Sequence, residues 1–228
     1  DVAETPIVQK HIIRKCQEYS RPVIVATQML DSMQNSSRPT RAEASDVANA
    51  ILDGADACML SGETAIGSFP VESVRMMNRI MVNTESTLEQ SGGSGVPRMA
   101  EGVQRVTSAV VFGAARIADR LDAKLVVVAT RTGNTARIKA KQRDFIPTVG
   151  VSGDAQTLRQ LCLFWGIIPV IGMPLDGGVA LRTAIEEWGR ANGLLETDDY
   201  IVFVTSSTYG PLGHDELFVH QIEEPATN

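Results

Sequence analysis

Apolar residues along this chain fall into two alternating kinds of run. Short apolar stretches of strand length occur at Val23–Ala26, Ala57–Leu60, Lys124–Ala129, Pro147–Val151, Ile167–Ile171 and Tyr200–Thr205. Runs of this kind, bounded by turn residues, predict strands buried on both faces. Between them the apolar positions recur at helical spacing. Ile7, Ile12, Ile13 and Cys16 mark a helix over 6–19, and Ala44, Val47, Ala48 and Ile51 mark another. The second opens with a capping box, Thr40-x-x-Glu43, and stops at Gly54. Pro70 starts a helix running to about Leu88. Later helices are predicted at Gly102–Leu121 and near 133–143, 154–165 and 178–192, with Gly166 and Gly193 as stops. Glu216–Ile222 alternates polar and apolar, as a half-exposed edge strand does.

The pattern breaks once, at Ser91-Gly92-Gly93-Ser94-Gly95-Val96-Pro97, a flexible linker by composition. The expected organisation is residues 1–90, a linker over 91–99, and a second domain over 100–228. The first part reads as two parallel strands joined by a right-handed crossover helix. Such a unit cannot cover both faces of its strands, so it ends something larger or docks on a partner. The second part, with strands alternating with helices, reads as a three-layer α/β/α domain with a mostly parallel sheet.

Composition narrows the function classes. The net charge of −6 over 228 residues is too acidic for broad affinity to nucleic acid. No apolar run approaches membrane-spanning length. Three scattered cysteines, Cys16, Cys58 and Cys162, read as reduced thiols of a cytoplasmic protein. His11, His214 and His220 do not cluster, which argues against a histidine-built metal site.

The polar residues that close the strands are the candidates for chemistry. Thr27 ends the first strand, and Ser61 and Glu63 follow the second, so all three fall at the carboxyl ends of successive parallel strands. Thr27 could equally bond a turn, and Glu63 could cap its loop. Arg41, Glu43, Asp46 and Asn49 on the capped helix read as structural, with Arg41 alternatively crossing a subunit interface. In the second domain, Thr130, Arg131, Thr132, Gly133, Asn134 and Thr135 join a strand end to a helix start. Free N–H groups there, near Arg131, Arg137, Lys139, Lys141 and Arg143, make a candidate anion site. The alternative is an ordinary capped helix with a solvated basic face. The loop Ser206–Asp215 could fold over the same place. Trp165 and Trp188 read as packing residues.

Several of these segments resemble one family. Ala26-Thr27-Gln28-Met29-Leu30, Pro39-Thr-Arg-Ala-Glu-Ala-Ser-Asp-Val-Ala-Asn-Ala and Leu60-Ser61-Gly62-Glu63-Thr64-Ala65 look like the last two βα units of pyruvate kinase. Gln9-Lys10 and Ile12-Ile13 resemble the preceding helix, and Thr130–Ala136 resembles the family's C-terminal α/β domain. The resemblance implies a partial TIM-type (β/α)8 barrel followed by that domain. It implies phosphoryl transfer from phosphoenolpyruvate to ADP with Mg²⁺ and K⁺, whose ligands the family keeps upstream of this segment. The segment alone is then expected to be inactive. Thr27 would lie beside the substrate's reactive carbon, with Ser61 and Glu63 continuing a proton relay. Thr130–Thr135 would hold a sugar phosphate or similar effector, and the whole would be a homotetramer. Many family members carry a lysine after Gly62–Ala65; Ile66 stands here and cannot neutralise a phosphate. The other reading kept open is a stand-alone phosphate-effector-binding or assembly module without catalysis.

Overall fold

Thr40 shows how closely local chemistry sets the fold. The computed structural model describes residues 1–90, 104–175, 178–205 and 216–224. In it the Glu43 N–H donates to Thr40 Oγ1 and the Glu43 carboxylate accepts from the Thr40 N–H, so the capping box forms. Gly54 ends that helix at φ 93°, a left-handed conformation that suits glycine.

The chain divides into two compact units, Asp1–Gly95 and Val96–Asn228. In the first, helix α1 (Thr5–Glu18), strand β1 (Ile24–Ala26), helix α2 (Arg41–Asp53) and strand β2 (Ala57–Met59) follow in order. A single turn, α3 (Gly62–Ala65), and the long helix α4 (Pro70–Gln90) complete it. The strands are parallel, with Ile24 opposite Ala57 and Ala26 opposite Met59. Val47 and Ala50 of α2, Met77 of α4 and Ile13 of α1 pack with Leu30 and Met33 into one core.

That core covers the strands incompletely. Ile24 is 47% exposed and Met59 43%, and Ile7, Val8 and Ile12 on α1 are exposed as well. Burying one such side chain contributes about 1.5–3 kcal/mol. A parallel pair is ordinarily covered on both faces, so this unit keeps an open apolar side.

In the second unit, helix α5 (Arg105–Arg120) precedes strand β3 (Leu125–Ala129), helix α6 (Asn134–Ala140) and strand β4 (Thr148–Val151). Helix α7 (Ala155–Leu161), strand β5 (Ile167–Val170), helix α8 (Val179–Ala191) and strands β6 (Tyr200–Thr205) and β7 (Glu216–Gln221) follow. The sheet order is β5-β4-β3-β6-β7, parallel except for the antiparallel edge strand β7. Val126 and Val128 face a core shared with α5, α6 and α7, and Leu125 and Val127 face one shared with α8. Four consecutive buried residues in β3 are what a central strand between two helical layers requires.

Three expectations are corrected at element ends. Gly62–Ala65, read as loop, forms one helical turn, as does Asp31–Gln34. Helix α6 stops at Ala140 rather than 143, where the chain tucks Lys141–Arg143 inward and Arg143 takes φ 51°. Helix α7 stops at Leu161 rather than 165, and the chain turns tightly before Gly166 at φ 68°. The expected linker over 91–99, the first turn of the helix at 102 and the loop Ser206–Asp215 lie outside the described residues.

Candidate functional site

The carboxyl ends of β1 and β2 lie side by side because Ala26 pairs with Met59. Thr27 therefore leaves the sheet level with Leu60, and Ser61 stands one residue beyond. Thr27 is exposed and has φ 70°; Gln28 follows at φ 53°. Two consecutive left-handed residues, one of them β-branched, are sterically costly. Each such residue stores about 1–3 kcal/mol and persists only where its surroundings over-determine it.

Those surroundings are two carboxylates. The Leu30 N–H donates to Glu63 Oε1 at 3.0 Å, and the Ser61 N–H donates to Glu63 Oε2 at 2.8 Å. Glu63 is 2% exposed. Burial pushes its carboxyl up, but the N–H groups of Glu63, Ser61 and Leu30 outweigh that and hold it below the usual range. Glu43 grips the far side of the same turn. Its Oε1 accepts from the Ser32 N–H at 2.7 Å, and its Oε2 from Ser32 Oγ at 2.6 Å. Thr40 adds its N–H at 2.7 Å and its hydroxyl at 2.8 Å. Partial burial pushes the Glu43 carboxyl up; the Ser32 and Thr40 donors overcome it and hold it at about 2.

The turn Asp31–Gln34 also packs against α3. Ser68 N–H donates to the Gln34 carbonyl at 2.8 Å. A Cβ at Gly67 would sit 2.6 Å from the Glu63 carbonyl oxygen and 3.0 Å from Gln34 Cα. Ile66, where a phosphate-facing lysine was the comparison, is 82% exposed.

In the second unit, β3 has β4 on one side and β6 on the other, so the chain reverses direction across the sheet there. Crevices outside the carboxyl ends of strands at such a switch point are where open α/β sheets bind ligands. Thr130–Thr135 leaves β3 at that end. Thr130 N–H donates to the Val151 carbonyl at 2.8 Å and Thr157 Oγ1 to the Arg131 carbonyl at 3.1 Å, fixing the loop. Arg131 and Thr132 are exposed, whereas Thr130, Gly133 and Thr135 are buried and Asn134 is half-buried. Gly133 takes φ 77° and no side chain caps α6.

The basic run behind the loop is not a solvated face. Lys139 is buried and pairs with Asp144 at 2.6 Å, and Lys141 is 0% exposed. Burial pushes the Lys139 ammonium down, and Asp144 opposes that shift without reversing it. Arg143 lies 4.8 Å over the Trp165 ring, whose edge partner is Phe145 at 5.5 Å. Packing of the short α6 against α5 and β3 draws these stems inward, which leaves Arg131 as the exposed charge of the group. Trp165 and Trp188 are both packing residues, Trp188 against the core beneath α8.

Residues 1–74 match the family described as pyruvate kinase, barrel domain, and residues 108–219 match pyruvate kinase, alpha/beta domain. The chain belongs to the pyruvate kinase family. The pyruvate kinase of Sporosarcina psychrophila is 48% identical over 185 residues, covering 81% of this chain and 31% of its own. That of Geobacillus stearothermophilus is 39% identical over 222 residues, covering 97% and 38%. The chain thus spans about a third of these relatives' length. The crystal structure of a pyruvate kinase from Cryptosporidium parvum superposes with a TM-score of 0.84 at 31% identity, covering 96% of this chain and 43% of that one. The α/β class and the two-part barrel and α/β architecture are those of the pyruvate kinase family.

Pyruvate kinases are metal-dependent as a family. Among the described residues no three His, Cys, Asp or Glu side chains group closely enough to hold a metal ion. No described helix is long and apolar enough to cross a membrane. Sequence reasoning missed the left-handed backbone at Gln28, which has no residue signature, and the reach of Glu43 to Ser32. The capping box was the visible half of that second arrangement.

Proposed function

We propose that this chain is part of an enzyme that moves the phosphoryl group of phosphoenolpyruvate to ADP, giving pyruvate and ATP in glycolysis. The observation that carries the reading is an exposed, left-handed Thr27 at the carboxyl end of a parallel barrel strand, in a chain of the pyruvate kinase family. Loss of the phosphoryl group leaves the enolate of pyruvate, whose carbon must gain a proton. Thr27 and Ser61 present hydroxyls at that rim, and a hydroxyl serves as a relay from water or a better acid. Glu63 belongs to the same rim. The complete enzyme uses Mg²⁺ and K⁺ in this reading, with their ligands upstream of this segment.

The second unit is proposed to bind a phosphate-bearing effector, such as a sugar phosphate, at Thr130, Arg131, Thr132, Gly133, Asn134 and Thr135. The switch-point position, the exposed Arg131 and the uncapped start of α6 support it. A homotetramer in the cytoplasm completes the proposal, with no nucleic-acid or membrane partner.

Intact mass spectrometry of the native polypeptide carrying this sequence tests the reading. A mass about twice that of this 228-residue chain, or more, leaves room for a barrel of roughly 250 residues and supports it. A mass equal to this chain overturns the catalytic reading in favour of a binding module.

A further inference from the structure

Thr27 and Gln28, both left-handed, lie between two anchors: the sheet, which ends at Ala26, and a side chain that holds the chain again at Leu30. Leu30, three residues past Thr27, gives its N–H to Glu63 Oε1; Ser61, at the end of β2, gives its N–H to Oε2. One buried carboxylate therefore staples the carboxyl end of β1 to that of β2. Glu43 fixes the other end of the same turn through Ser32. The close approach of Gly67 to the Glu63 carbonyl and Gln34 Cα locks α3 against it.

We propose that Glu63 is a positioning residue: it sets the left-handed Thr27-Gln28 rim by accepting the Leu30 and Ser61 amides, and carries no proton in the reaction. The inference rests on the phosphoryl-transfer reading above. A relay group needs a proton to give and a path to the substrate. Glu63 has both oxygens committed as acceptors to main-chain N–H groups and is shut from solvent. Its geometry demands two acceptors, which glutamine cannot supply because its amide nitrogen would face an N–H donor. Aspartate keeps an ionisable carboxyl but is one methylene too short to reach both amides.

The test uses Glu63→Gln and Glu63→Asp in the native polypeptide that carries this sequence. Amide hydrogen exchange is the first measurement. Leu30 and Ser61 should exchange about tenfold faster in both variants, while amides of α2 and α4 keep their rates and so report an intact fold. The second is the pH profile of pyruvate formation and of solvent-deuterium uptake into the methyl group of pyruvate. Both rates should fall on the order of 10- to 100-fold in both variants, as misplacement of a reacting group does. KM for phosphoenolpyruvate should stay within about twofold, and the shape of the profile should not change. Unchanged exchange at Leu30 and Ser61 overturns the proposal. So does loss of an ionisation from the profile in Glu63→Gln with activity kept by Glu63→Asp, the mark of a relay. A wild-type polypeptide without turnover overturns the phosphoryl-transfer reading instead, and the exchange measurement still decides the staple.

Discussion

Glu43 draws four donors onto one carboxylate, and this has a pH signature. Its folded pKa of about 2 lies below the ordinary carboxylate value, so the stabilisation is present above about pH 4.5. It is lost progressively as pH falls through about 2. Glu43→Gln should destabilise by about 1–2 kcal/mol at neutral pH, the size of a lost cap and its hydrogen bonds. Urea denaturation of the native polypeptide should show that difference shrinking below pH about 4.5. A pH-independent difference would assign the effect to packing. Gly67→Ala puts a methyl against a backbone oxygen that cannot swing aside, and should cost about 1–3 kcal/mol. Thr27→Val should lower kcat more than it changes substrate binding; an unchanged kcat removes Thr27 from the mechanism. The capping box and Gly54 were legible in the sequence because each is a local pattern with one geometric solution. The bonds from Glu43 to Ser32 and from Glu63 to Leu30 were not, because each joins residues 11 and 33 positions apart that only the folded strands bring together.

At the scale of elements, strands and long helices follow the apolar periodicity within a few residues, since burial on two faces or one dictates it. The short elements are where periodicity fails. The basic run of helix α6 was read as charge beside a candidate anion site, or alternatively as a solvated face, yet its Lys139 is buried and Lys141 beyond its end lies inside the unit. Long aliphatic stems let a lysine pack as a hydrophobe once its charge finds a partner, as Lys139 does in Asp144. The phosphate site proposed at Thr130–Thr135 therefore depends on few charges. Arg131→Glu should weaken binding of a phosphorylated sugar by about tenfold or more in calorimetry, the scale of one charge-assisted hydrogen bond. Equal affinity in the variant would move the effector elsewhere.

The whole chain joins an α/β domain with two covered faces to a barrel portion whose strands keep an apolar side open. The exposure of Ile24 and Met59 on the strands agrees with the sequence expectation that one βαβ unit cannot cover both faces of its strands. Family membership follows from matches over both parts of the chain, residues 1–74 and 108–219. The most direct measurement of the central claim is pyruvate formation from phosphoenolpyruvate and ADP by the native polypeptide carrying this sequence. The account predicts turnover, and its loss in Thr27→Val with KM for phosphoenolpyruvate nearly unchanged. A folded native polypeptide that binds phosphate effectors but forms no pyruvate would contradict it.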